Sequence, residues 1–278
     1  MSIEAAVIQF RKDTVAQFEQ QVSLLKLTAT KETVLQGNQA TFLVAGSGTD
    51  TAVTRGTNGD IPYGNPTNTQ YTATLVEKHA PYELTGFNVF ASQGDQVSVM
   101  RKASINVINR DIDLTLLTEL ANATQDFGTG TATLQTVTGA QAILGNNDVD
   151  VEEEDNMFGV ISPAFRSYLM QTTEFTNGLY VDMKPYGGPV RKMWRWMGIN
   201  WIMSPLVTGL GTSTENCYIF HRNSIGYAVN LGEEKIAAGY DEKQDKSWSR
   251  ATVYHSAKIL QNTGIVRLPH DGSAYVAS

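Results

Sequence analysis

The sequence predicts an α+β protein built on a projecting β-hairpin and one very long helix. Three observations predict it. The tract Thr54–Leu75 (TRGTNGDIPYGNPTNTQYTATL), with three glycines and two prolines, lies between β-rich runs. Val97, Met100, Ser104, Ile108, Ile112, Leu116 and Leu120 step by three or four, as the stripe of a single helix does. Short alternating apolar runs, separated by turn residues, then continue to Pro269.

In chain order, Ile3, Val7, Phe10, Val15, Phe18, Val22, Leu25 and Leu27 are mostly three to five apart, which predicts an amphipathic N-terminal helix or two short ones. That face either packs on its own core or forms an arm on a neighbouring subunit. ATFLVAG (Ala40–Gly46) and TQYTATLVEK (Thr69–Lys78) predict the two strands of a long hairpin with a polar tip. A structureless loop of that length calls for an active-site lid, disorder or an intersubunit clamp.

The long helix is expected over Ser92–Thr124, with Ser92 as N-cap and Asp95 favouring its positive end. About 30 residues at 1.5 Å each make a rod of roughly 45 Å. Arg101, Lys102, Arg110, Asp111 and Asp113 are expected on its exposed side. After a Gly/Thr connector (Gly128–Thr133), LQTVTGAQAILG predicts a short helix stopping at Gly145. Next come an acidic run (Asp148–Asn156), a buried strand (Phe158–Ile161), and a helix capped by Ser162 and begun by Pro163. YVDMKPYGGPV is a turn-rich link, and MWRWMGINWIMSP a strand pair. NCYIFHRNSIGYAVN reads as two strands around HRNS, and Trp248–Pro269 as strand, Asn-Thr-Gly turn, strand.

Composition narrows the function. In 278 residues, 41% hydrophobic content supports a substantial core, and 18% charged suits a surface largely covered by neighbours. A net charge of -7 argues against a dedicated nucleic-acid binder, which needs a basic face. The single cysteine, Cys217, excludes an internal disulfide framework. Neither a signal-peptide pattern nor an apolar run of membrane-spanning length is present, so a soluble, cytoplasmically made chain is expected.

The search for chemistry returns no catalytic, cofactor or metal residues. The acidic run lacks the calcium-loop pattern and reads as a solvated loop. His79, His221, His255 and His270 have no metal-site spacing. Cys217 reads as an inert core thiol. No nucleophile elbow, Walker loop or dinucleotide fingerprint occurs. Arg191–Trp196 is basic and aromatic. As a strand it places Arg191, Met193 and Arg195 on one face and Lys192, Trp194 and Trp196 on the other, so a packed structural strand is preferred over a nucleic-acid platform.

The order of parts resembles the HK97-fold major capsid proteins of tailed bacteriophages. The resemblance rests on QYTATLVEKHAPYELT leading into the long helix, then on FGVISPAFRSYLM, YIFHRNSIGYAVN and RATVYHSAKILQNTGIVRLP. It implies an N-terminal arm (1–38), an E-loop with flanking strands (39–88) and a P-domain spine helix (89–127). An A-domain (128–238) and C-terminal strands returning to the P-domain (239–278) complete it, with Arg250 at the family's usual arginine position. The implied function is self-assembly through pentamers and hexamers into an icosahedral shell around double-stranded DNA, assembled in the host cytoplasm and carried in the virion. Implied partners are other copies, a separate scaffolding protein (unless a leading segment has been removed), a portal, and packaged DNA by non-specific proximity, with no membrane.

On this resemblance the E-loop lies across the adjacent subunit. Arg55, Asp60, Tyr63 and Tyr71 are then the expected loop contacts. Arg101, Lys102, Asp111 and Asp113 are the expected salt-bridge partners on the spine helix. No Lys lies between Glu32 and Val76, so a Lys-based crosslink at the loop tip is not expected. The rivals are an encapsulin-like compartment shell and an enzyme with a lid at 54–70.

Overall fold

A computed structural model describes residues 22–48, 50–91, 96–173, 193–232 and 235–275. In chain order the elements are β1 (Thr30–Val34), β2 (Gln39–Gly46), β3 (Thr67–Thr74), β4 (Val76–Thr85), α1 (Gly86–Ala91), α2 (Gln96–Leu120), α3 (Leu134–Asn146), β5 (Met157–Ile161) and α4 (Pro163–Leu169). There follow β6 (Met193–Trp196), β7 (Ile199–Met203), β8 (Glu215–His221), β9 (Ile225–Asn230), β10 (Lys235–Asp241), β11 (Lys246–Ile259) and β12 (Ile265–His270). The described residues fall into two compact units, 22–23 and 77–112 with 232–254, and 24–76 with 113–231 and 255–275.

The first unit is a small sheet with a helical stripe. β4 and β10 both pair with β11, and β10 runs antiparallel from Lys235↔Thr252 to Asp241↔Lys246. Ala80, Ala251 and Val253 are buried on the sheet, and Met100, Ser104, Ile108 and Ile112 on α2. The predicted stripe therefore holds from Met100 onward, the side chain of Val97 lying outside those described, and its one polar member is satisfied by Ser104 Oγ donating to the Met100 carbonyl at 3.1 Å. Lys78 Nζ, 3.5 Å from Asp111, ties β4 to α2. Its described run, Gln96–Leu120, has 25 residues, about 37 Å at 1.5 Å per residue, and it stops at Leu120, short of the expected end at Thr124. Gly86–Ala91 (α1) is also helical, and residues 92–95, with the expected cap Ser92 and Asp95, lie outside the described residues.

The second unit holds the larger core. A five-stranded sheet runs β12-β8-β5-β7-β6, covered by α3 and α4. Val137, Ala140 and Leu144 of α3 and Phe165 and Leu169 of α4 meet Trp201, Cys217, Ile219 and Val266 in one buried cluster. Each fully buried side chain such as Leu144 or Phe165 contributes roughly 1.5–3 kcal/mol. Both helix starts match their sequence signals. Ser162 Oγ accepts from Phe165 N at 3.1 Å, and Thr133 forms a capping box with Thr136. α3 runs one residue past the expected stop at Gly145, and the left-handed residue is Asp148 (φ 58°).

β6 and β7 form the expected strand pair. Met197 (φ 52°) and Gly198 (φ 71°) make its two-residue turn, the left-handed pair that matches strand twist. Trp194 and Trp196 are buried while Arg195 is exposed, as alternation required, and Arg191 and Lys192 lie outside the described residues.

Two of the predicted strand–turn–strand runs are not hairpins. β8 pairs with β5 and β12, whereas β9 pairs with β1 and β11. A 3₁₀ turn at Arg222–Ser224 reroutes the chain between sheets, and a second at Asn262–Gly264 does the same between β11 and β12. The turns lock side by side through Leu260 N donating to Ser224 O at 2.8 Å and Ser224 Oγ to Gly264 O at 2.9 Å. The final strand thus lies against β8 in the large sheet.

Residues 1–21 of the predicted N-terminal helix lie outside the described residues, and Leu25–Leu27 is a single 3₁₀ turn with Leu25 buried. β1, within the stretch expected as an arm, pairs in parallel with β9. Among the described residues no helix is long and apolar enough to cross a membrane.

Candidate functional site

The hairpin β2–β3 carries a long exposed loop. It pairs in register from Gln39↔Thr74 to Gly46↔Thr67. Its base is apolar. Ala40, Phe42 and Ala73 join Val34, Ala228 and Leu260 in a small cluster, against which Tyr71 and Val44 lean. Beyond that base, every described residue from Ala45 to Gln70 is exposed.

The tip is nonetheless shaped. Gly56 N donates to Asp60 O and Gly59 N to Gly56 O, both at 2.9 Å, closing a turn with Gly59 in the left-handed region (φ 86°). Arg55 Nη1 donates to the Gly59 carbonyl at 2.9 Å and braces the turn from outside. Beside it, Tyr63 is 97% exposed, and Ile61 and Val53 also face solvent. An exposed aromatic on a braced loop is what a protein interface uses as an anchor, because it offers large area at low conformational cost.

The other predicted contacts divide. Arg101 and Lys102 are exposed on α2 and make no ion pair among the described residues. Asp111 is half-buried beside Lys78. Asp113 is only 2% exposed, so its expected place on the open side of α2 is wrong. The buried face widens there into a second row, Asn109, Asp113, Leu117 and Leu120, and a carboxylate inside it cannot reach a neighbour. Tyr71 keeps only part of its surface, since its ring packs on the hairpin base opposite Phe42.

The acidic run is tethered to the large sheet. Arg195 reaches Glu154 and Asp155, both at 2.7 Å, and Asn200 Nδ2 donates to Glu154 O at 2.6 Å. The hydrogen bond to Asp155, then the two carboxylate charges, holds the guanidinium above its ordinary pKa against a lesser cost of burial. Among the described residues no three His, Cys, Asp or Glu side chains converge to hold a metal.

One buried polar cluster has no signal in local sequence. Glu215, 1% exposed, accepts from Ser162 Oγ, from Gly211 N at 2.7 Å and from His270 Nδ1 at 3.2 Å. The residue types suggest a hydrolase triad, but the geometry does not. The serine hydroxyl bonds the carboxylate rather than the imidazole, so the serine–histidine contact of a triad is absent, and all three side chains are buried. The cluster pins α4, β8 and β12 together. Adjacent Cys217 is fully buried, and burial pushes its thiol up to about 12, the inert state expected of it.

Comparison with known proteins gives one family match and many structural ones. The sequence profile of the family described as phage capsid protein matches residues 3–271. The capsid protein of Ralstonia phage GP4 is 10% identical and superposes with a TM-score of 0.73, covering 100% of this chain and 99% of that one. That of cyanophage P-SCSP1u is 14% identical with a TM-score of 0.71, covering 94% and 91%. The capsid chain of a native GTA particle is 12% identical with a TM-score of 0.70, covering 96% of each. No curated protein matches the chain in sequence.

Proposed function

Since the chain belongs to the phage capsid protein family and has its α+β, HK97-like fold, we propose that it is a major capsid protein whose copies assemble through pentamers and hexamers into an icosahedral shell around double-stranded DNA. The observation that carries this is the hairpin. The unbroken exposed run 50–70, braced at the tip and bearing Tyr63, adds nothing to the core of one subunit and suits a clamp on the next. The shell reading favours a structural role over a catalytic one. It places the protein in the virion after assembly in the host cytoplasm, with a separate scaffolding protein and a portal as partners and the packaged DNA as a non-specific neighbour.

Within this reading the division into arm (1–38), E-loop (39–88), spine helix (89–127), A-domain (128–238) and C-terminal strands (239–278) serves as a working map. Arg55, Asp60 and Tyr63 at the tip are the principal neighbour contacts, with the exposed edge of Tyr71 beside them. Arg101 and Lys102 are suited to the loop's carboxylates, and Asp111 to Arg55. Electron microscopy of the purified chain, alone and with a scaffolding protein, tests this. Closed shells, or rings of five and six, are expected. A uniform monomer under all conditions would refute the assembly reading.

A further inference from the structure

β10 (Lys235–Asp241) is an edge strand that leaves its backbone open. One edge pairs with β11, and no described residue pairs with the other. Edge strands are ordinarily guarded by charge, proline or a bulge. Here the five central residues, Ile236-Ala237-Ala238-Gly239-Tyr240, carry no charge. Ile236 is 50% and Tyr240 56% exposed, and they share one face of the strand with Ala238 between them.

The strand is also complementary to itself. Set a second copy antiparallel to it with Ala238 opposite Ala238. Lys235 then faces Asp241, Ile236 faces Tyr240, and Ala237 faces Gly239, each pair occurring twice about the two-fold axis. Opposite charges meet, the aliphatic side chain meets the aromatic one, and small residues meet where strands approach closely. The register is therefore specified by side chains, and a slip of one residue would move Ile236 and Tyr240 off one another. Lys235 and Asp241 make no ion pair with other described residues.

We propose that the free edge of β10 is a two-fold interface in which it pairs antiparallel with β10 of a second copy, centred on Ala238. Such an isologous contact closes on itself and yields dimers rather than fibres. In a shell it joins two subunits across a two-fold axis, a contact separate from the hairpin clamp. The dimer does not depend on the shell reading.

The test is disulfide trapping in the full-length chain, whose only native cysteine, Cys217, is buried. Ala238→Cys places two thiols directly opposite one another, within bridging range, whereas Ala237→Cys places its thiol opposite Gly239 and diagonally out of reach of its mate. A dimer on non-reducing gels from Ala238→Cys but not Ala237→Cys is expected, in solution and in particles. Closed particles without that crosslink overturn the interface while leaving the shell reading intact. Crosslinked dimers that never form particles uphold the interface and count against the shell. Charge reversal supplies an independent arm by sedimentation. Lys235→Asp weakens dimerisation by about tenfold through like charges opposed twice, and adding Asp241→Lys restores it. Failure of the double reversal to restore dimerisation overturns the register.

Discussion

The Phe42 ring of the hairpin sits where a side chain on Gly226 of β9 would be, with ring atoms 2.8–3.0 Å from the position of a Cβ there. The absent side chain is what lets the hairpin base seat on the sheet. Gly226→Ala is expected to destabilise the subunit by about 1–3 kcal/mol, because the ring must move and carry β2 with it. Phe42→Ala should cost about 3 kcal/mol through the cavity it leaves. In the double variant the costs should fall short of their sum, since the smaller residue relieves the clash. Urea unfolding of disassembled subunits measures all three, and strict additivity would show that the two residues do not press on one another.

Deleting residues 54–68 should leave the subunit folded and abolish closed particles. Everything removed is exposed, and the hairpin base keeps its own cluster. Tyr63→Ala should leave the unfolding free energy within about half a kcal/mol of wild type, as surface changes do, yet slow assembly followed by light scattering. Normal particles from the deletion would remove the clamp from consideration.

The parts legible in the sequence are those whose signal is local. Met100, Ser104, Ile108, Ile112, Leu116 and Leu120 advertise a buried helical stripe by spacing alone, and all six are buried. Ser162-Pro163 announces a helix start through backbone preferences. What was missed depends on distant partners. β1 reads TKETV, mostly polar, and is a strand because β9 pairs with it from far along the chain. β10 is rich in alanine and glycine with charges at its ends, and its strand character comes from β11. Asp113 looked exposed because a single stripe cannot reveal a second buried row.

Arg195→Ala should free the acidic segment rather than unfold the protein. Its pairs with Glu154 and Asp155 are largely exposed, so the stability change should stay within about 1 kcal/mol and shrink further in high salt. Limited proteolysis between residues 148 and 156 should nonetheless accelerate, because the guanidinium ties that segment to β6. An unchanged cleavage rate would mean that Asn200, which also holds Glu154 O, suffices as the tether.

The buried Glu215–His270 pair predicts how stability responds to acid. Burial holds the His270 imidazole below its ordinary value near 6.5, outweighing the upward pull of Glu215. Its Nε2 has no partner among the described residues, and the Phe165 and Tyr168 rings lie 5.1 and 5.3 Å away, centre to centre. A proton there would be an unmatched buried donor. The folded state therefore favours the neutral ring. Between the lowered folded value and about 6.5 the unfolded chain binds the extra proton, so stability is present above about pH 6.5 and falls as pH drops through that window. Glu215→Gln should cost about 2–4 kcal/mol at neutral pH, since three donors lose the carboxylate they share. His270→Asn, whose amide can still donate to Glu215, should flatten the acid limb while keeping most of the neutral-pH stability. Unfolding midpoints at pH 7.5 and 5.5 for wild type and His270→Asn decide it, and an equal drop in both would assign the acid sensitivity to other groups.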